Sequence, residues 1–105
     1  MRRLAVTIIS RQKIIEAYQR HSEWKASLES WYKITESAKW QNFPEVKATF
    51  NSADSVGTCV VFNISHNRCR LISRINYKSQ VVYILSIHSH ADYSKGRWKN
   101  ACDCD

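Results

Sequence analysis

The sequence predicts a single α+β domain in which an N-terminal strand and a helical hairpin pack on one face of a mainly antiparallel sheet, followed by a short C-terminal helix. Three observations predict it. Apolar residues between positions 14 and 38 recur at spacings of three and four, the helical repeat. From position 58 to position 90 they alternate, as in strands with one face buried. The chain of 105 residues holds only two glycines and one proline, with no visible linker, repeat or low-complexity tract. One domain, residues 1–105, built around one core, is therefore expected.

Residues 5–9 (AVTII) read as a short strand. Ser10 can cap a first helix carrying Ile14, Ile15, Tyr18 and His21 near one side. Ser22 can cap a second, on which Trp24, Leu28, Trp31, Thr35 and Ala38 form an apolar stripe; the two helices make an antiparallel hairpin. NFPEVKATF, residues 42–50, places proline in the first turn of a short helix that Phe50 closes against the core. NSADSVG reads as a polar loop ending in glycine. TCVVFNI, RCRLISRINYK and QVVYILSIHSH then form a three-stranded meander with turns near SHNR and KSQ.

Charge narrows the function. Sixteen Lys plus Arg against nine Asp plus Glu give a formal charge of +7 and a pI near 9.5, a field that attracts polyanions, with nucleic acid the leading partner. The opening MRRLAVTIISRQK is too short and too polar in its apolar stretch for a signal peptide or a membrane span. A cytoplasmic protein is expected, with the cysteines at 59, 69, 102 and 104 reduced. The terminal CDCD reads as a frayed tail, and Cys59 and Cys69 fall out of direct register for a bridge. His88, His90, Cys102 and Cys104 are zinc-type ligands, but C-x-C lacks the usual finger spacing, so neither metal nor cofactor is expected.

Alternation assigns faces. Arg68, Arg70, Ile72, Arg74, Asn76 and Lys78 share one face of their strand, and Cys69, Leu71, Ser73, Ile75 and Tyr77 the other. On the next strand Val81, Tyr83, Leu85 and Ile87 alternate with Val82, Ile84, Ser86, His88 and His90. An even register, such as Tyr77 opposite Val81, keeps the apolar sides together and sets Arg70 opposite His88 and Arg68 opposite His90. A four-residue turn at Ser65 to Arg68 pairs Ile64 with Cys69 and brings Asn63 beside Arg70. The strands then gather Asn63, Arg68, Arg70, Arg74, Ser86, His88 and His90 on one uncovered face, able to grip phosphate and move a proton. The plain alternative is a solvated cationic face. Ser89 and Asp92 fit a capping box, which makes Asp92 a cap rather than a base and sets His90 in the first turn of a helix.

From Ile9 to Cys104 the chain resembles the HigB family of RelE-like toxins of type II toxin–antitoxin pairs. The resemblance rests on ISRQKI at 9–14, WYKITESAKW, FPEVKATFNSADSVG at 43–57, VVFNI at 60–64, RLI at 70–72, NY at 76–77, and VYI followed by HADYSKGRWK. It implies a RelE-like fold and an endoribonuclease (mRNA interferase) that cleaves mRNA, typically on the ribosome, and is neutralised by a helix-turn-helix antitoxin. The family's F-N-I-x-x-N-x-x-R-L-I motif falls on Asn63, Asn67 and Arg70, and its T-H-x-E-Y motif on Ser89, His90, Asp92 and Tyr93. This chain departs from the family pattern at His66 (usually glycine), Cys69 (tyrosine), Leu85 (arginine) and Ser94 (aspartate).

Metal-independent cleavage by the RNA's own 2′-hydroxyl needs one proton removed, another supplied and a phosphorane stabilised. Arg70, with Arg68 or Arg74, is the expected phosphate holder and His90 the expected proton-transfer group. Tyr93 is expected to stack on a base or to hold the histidine. Asn63, Asn67 and His88 line the same surface, and Lys95, Arg97 and Lys99 extend the RNA or ribosome footprint. Two alternatives stay open: His90 as a buried helix-start residue without chemistry, and the whole chain as a noncatalytic RNA- or ribosome-binding module.

Overall fold

The computed structural model describes residues 6–66 and 68–102. Strand β1 (Thr7–Ile9) leads into helix α1 (Arg11–Arg20), then α2 (Lys25–Glu36) and α3 (Phe43–Thr49). Four strands follow, β2 (Asp54–Val56), β3 (Cys59–Ile64), β4 (Cys69–Asn76) and β5 (Val81–Ser89), before α4 (His90–Lys95) and a 3-10 turn over Arg97–Cys102. The five-stranded sheet has the order β1-β5-β4-β3-β2, with β1 parallel to β5 and every other pair antiparallel. The α+β class is as the sequence predicts.

The helical stripe behaves as its spacing demands. Trp24, Leu28, Trp31 and Thr35 are all buried, and Ile14 joins them from α1. They meet the inward face of the sheet, where Val60, Phe62, Ile64, Cys69, Leu71, Val82 and Ile84 complete one core. Phe62 is its aromatic hub, with ring centroids 5.3 Å from Trp31, 6.2 Å from Trp40 and 5.3 Å from Phe50. Ser22 opens a 3-10 turn instead of capping the second helix, and α2 begins at Lys25. Ser10 occupies the N-cap of α1 without a side-chain bond. At α3 the cap is explicit: Asn42 Oδ1 accepts from the Glu45 amide at 3.1 Å, and Glu45 Oε1 accepts from the Gln41 amide at 2.7 Å.

Three further sequence expectations are corrected. NSADSVG is not simply a loop: Asp54–Val56 pairs with β3 through a two-residue turn at Gly57 and Thr58, so the meander has four strands. Gly57 has φ 57°, the left-handed backbone such a tight hairpin requires.

The register of β4 on β5 also differs from simple alternation. Arg70 lies opposite His88 and Asn63 opposite Arg70, as the alternation predicts. Between Ile72 and Ser73 the β4–β5 register shifts by one, so Asn76, not Tyr77, faces Val81. A bulge leaves Leu85 as the extra residue and exchanges the faces of the strand before it. Val82 and Ile84 therefore enter the core while Tyr83 is exposed.

Third, the outer face of the sheet is not uncovered and the cysteines are not all reduced. A disulfide joins Cys59 to Cys102 and draws the 3-10 turn across that face, where Trp98 and both cysteines bury Val61 and Ile72 in a second apolar cluster. Closing a separation of 43 residues contributes about 4 kcal/mol on the chain-entropy account. The tail as far as Cys102 is thus folded, not frayed; Cys104 lies outside the described residues. Cys69 is free and fully buried.

Replacing Phe62 with alanine removes the hub of the aromatic core and is expected to cost about 3–5 kcal/mol, read from chemical denaturation midpoints. A loss below about 1 kcal/mol would show that the ring does not organise this core.

Candidate nucleic-acid interface

The outer face of the sheet has a polar end and an apolar end. At the polar end one cross-strand row reads Asn63, Arg70, His88, set by the pairings of β3, β4 and β5. Arg70 is buried to 9% exposure, unusual for a guanidinium, and its Cζ stands 4.9 Å from the centroid of Tyr93 on α4. His88, half-buried beside it, has Nε2 2.8 Å from Ser86 Oγ. Burial pulls the His88 imidazole below its ordinary value of 6.5, partly offset by the carboxylate of Asp92. Ser86 and His88 share this face because both lie beyond the bulge.

Outward from this row the ladder continues: the His90 amide donates to the Arg68 carbonyl at 3.1 Å. Arg68 and His90 are both exposed, so His90 is a helix-start residue open to solvent and not a buried one. Ser89 caps α4 by accepting from the Asp92 amide at 3.2 Å, half of the expected box. The Asp92 carboxylate turns instead toward Lys95, 3.7 Å away. Gly96, at φ 75°, ends the helix in the left-handed conformation.

The remaining predicted residues are spread more widely. Arg74 lies four residues along β4 from Arg70, a distance of about 13 Å at strand rise, too far to share one phosphate. Its guanidinium is bonded to the Ala101 carbonyl at 2.5 Å and to Thr58 Oγ1 at 3.3 Å, pinning the C-terminal turn. Lys95, the last residue of α4, and Arg97 just beyond it are exposed, and Lys99 Nζ sits 5.9 Å from the Trp98 ring. Asn67 lies outside the described residues.

Sequence reasoning passed over two groups of residues here. Trp98 stacks on Tyr93 with centroids 4.9 Å apart and planes at 12°, and its Nε1 donates to the Tyr93 carbonyl at 2.9 Å. A single aromatic in a terminal segment carries no periodic signal, so only the fold reveals it. Lys13 and Arg20, with Ser89 and Asp92, line a groove of about 250 Å³ between α1 and the margin of β5. Their spacing of seven puts both cations on one side of α1, a signal present in the sequence.

Cys69 is not a candidate nucleophile. Burial pushes its thiol up to about 12 despite the neighbouring Arg70 charge, so it stays protonated. Among the described residues no group of three or more His, Cys, Asp or Glu side chains gathers as a metal site, and Cys102 is held in the disulfide.

The domain is small, basic and α+β, and the outer face of its sheet carries a buried arginine framed by histidine, asparagine and tyrosine. Residues 24–96 match the family model of the HigB toxin, described as the RelE-like toxic component of a toxin–antitoxin system, and the chain belongs to that family. Membership implies an antitoxin partner. No curated protein matches the chain. No helix among the described residues is long and apolar enough to cross a membrane.

His88 gives this surface a pH signature. Its folded value is depressed, so the unfolded chain takes up the proton first. The stability held above the unfolded value near 6.5 is lost as pH falls through the lowered folded value. Urea midpoints are expected to drop between about pH 7 and about pH 5, and His88→Asn to flatten that drop. An identical pH slope in the variant would remove His88 from the account.

Proposed function

We propose that this toxin is a metal-independent endoribonuclease that cleaves mRNA on the ribosome in the cytoplasm and is held inactive by a helix-turn-helix antitoxin. The observation that carries the reading is the row Asn63, Arg70, His88, closed by Tyr93 and bordered by exposed Arg68 and His90. A semi-buried guanidinium is a strong phosphate anchor because water screens it less. Arg70, with Arg68, holds the scissile phosphate and offsets the charge that builds on its oxygens as the 2′-oxygen attacks. The bond from phosphorus to the 5′-oxygen then breaks, leaving a 2′,3′-cyclic phosphate and a 5′-hydroxyl. His90, solvent-exposed at the start of α4, is the proton-transfer group, and Tyr93 keeps the guanidinium in place. Asn63 and His88 complete the surface around the phosphate, and Asn67, outside the described residues, is an expected RNA contact through the family motif alone. Lys95, Arg97 and Lys99, together with Lys13 and Arg20 across the groove, supply sequence-independent phosphate contacts.

One observation favours a second reading, a noncatalytic RNA- or ribosome-binding module. Leu85, where the resemblance implies an arginine, is half-buried against the Cys59–Cys102 cluster and contributes no charge.

The two readings separate on cleavage. With the chain induced and transcript 5′ ends mapped, new 5′-hydroxyl ends and growth arrest are expected. His90→Ala and Arg70→Ala should each lower the cleavage rate at least about 100-fold with circular dichroism unchanged. Arg70→Lys should fail to restore it, since an ammonium cannot reproduce the planar fork. RNA binding without any new ends would retire the nuclease in favour of the binding module.

A further inference from the structure

We propose that Trp98 is a positioning residue for the RNA-cleaving site and that the Cys59–Cys102 disulfide is the redox-operated lock that keeps it there. This rests on the nuclease reading above for its consequence, but the lock itself is testable without it.

Helix α4 carries His90 and Tyr93, yet none of its own residues is buried. Its apolar anchorage comes from the segment just beyond it. Trp98, at 6% exposure, stacks on Tyr93 and bonds its carbonyl, and Tyr93 in turn meets the Arg70 guanidinium. The line Trp98, Tyr93, Arg70 therefore joins the tail to the phosphate anchor. What holds Trp98 is the closure of Arg97–Cys102 on the sheet: the disulfide to Cys59, the Arg74 bond to the Ala101 carbonyl, and the Thr58 amide donating to the Cys102 carbonyl at 2.8 Å. Only the disulfide is covalent, and only it responds to redox state. Gly96 separates the tail from α4 with a left-handed residue, so the segment docks as its own unit.

Disulfides in thiol-reducing compartments are typically transient and sensing, and a chain that acts on mRNA works in such a compartment. The exchange needs one co-reactant in each direction, a dithiol to reduce the bond or a low-molecular-weight disulfide to re-form it. A dithiol reductant attacks one sulfur as a thiolate and forms a mixed disulfide. Its second thiol then displaces the protein sulfur, closing the reductant's own ring and leaving Cys59 and Cys102 each with a proton. In the other direction a low-molecular-weight disulfide accepts the two electrons and leaves as two thiols. Cys69, buried in the core, takes no part.

The test uses the full chain in its oxidised state and after dithiothreitol. Cleavage of a model RNA and amide exchange are followed on the same samples. Oxidised protein should cleave with kcat about tenfold above the reduced protein and KM within about threefold, the pattern of lost alignment rather than lost binding. Reduction should raise exchange in residues 97–102 and α4 at least about tenfold more than it raises exchange in the sheet. Trp98→Ala should reproduce the reduced behaviour in either redox state. Trp98→Phe, which keeps the stack, should recover most of the rate. Cys104→Ser, leaving the pair intact, should respond like the natural chain.

Equal kcat and equal exchange in both states would overturn the proposal. A uniform rise in exchange on reduction, with the tail and α4 gaining no more than the sheet, would also overturn it, by making the bond a general staple. If neither state cleaves RNA, the nuclease reading falls and exchange alone decides: faster tail exchange upholds the lock, and unchanged exchange ends it. Because the two redox states share one sequence, a cysteine variant that fails to fold leaves the comparison intact.

Discussion

The pairing of β4 with β5 is the constraint on which the rest of this molecule depends. These two central strands meet in two registers, one from Cys69 to Ile72 and another from Ser73 to Asn76. Near the turn, the second register delivers Val82 and Ile84 to the helices. Toward the chain end, the first delivers His88 to Arg70 and leaves Ile87 inside. A single register could not do both, since side chains alternate strictly and β5 carries its apolar residues in two opposite phases. The extra residue at Leu85 is the point at which the strand changes phase, so core formation and assembly of the polar row are solved separately along one strand.

This also explains how far the sequence could be read. The stripe from Trp24 to Thr35 was legible because a helix imposes one period over many residues. The row Asn63, Arg70, His88 was legible because the SHNR turn fixes β3 against β4 and the register beyond the bulge matches simple alternation. The bulge was not legible, because period-two reading assumes that a strand never skips. Val81 and Tyr83 were thereby assigned to the apolar side that Val82 and Ile84 in fact occupy. Strand β2 was hidden for a different reason: three residues are too few to show an alternation, Asp54 disfavours a strand, and the single strand former Val56 carries no pattern until pairing with β3 extends the segment.

The cysteines mark the sharpest limit. Compartment statistics favoured free thiols, and spacing along the chain says nothing about Cys59 and Cys102, which are brought together only when the tail folds back. The same fold-back recasts Arg74, a phosphate candidate by strand face, as a fastening for the chain end, and recasts Trp98 as a neighbour of Tyr93. Local pattern locates residues on faces. What covers a face depends on contacts between distant segments, and these are decided by total burial.

The sheet's two margins carry a further consequence. One is β1 and the other β2, each only three residues long, and β2 begins with a charged aspartate. Beyond Tyr83, where β1 stops, the side of β5 runs along α1. Among the described residues, neither border offers the run of roughly five or six open backbone groups from which two sheets zip together. On the RNA-binding reading proposed above, many copies gather along one strand, and borders this short give them little template on which to polymerise.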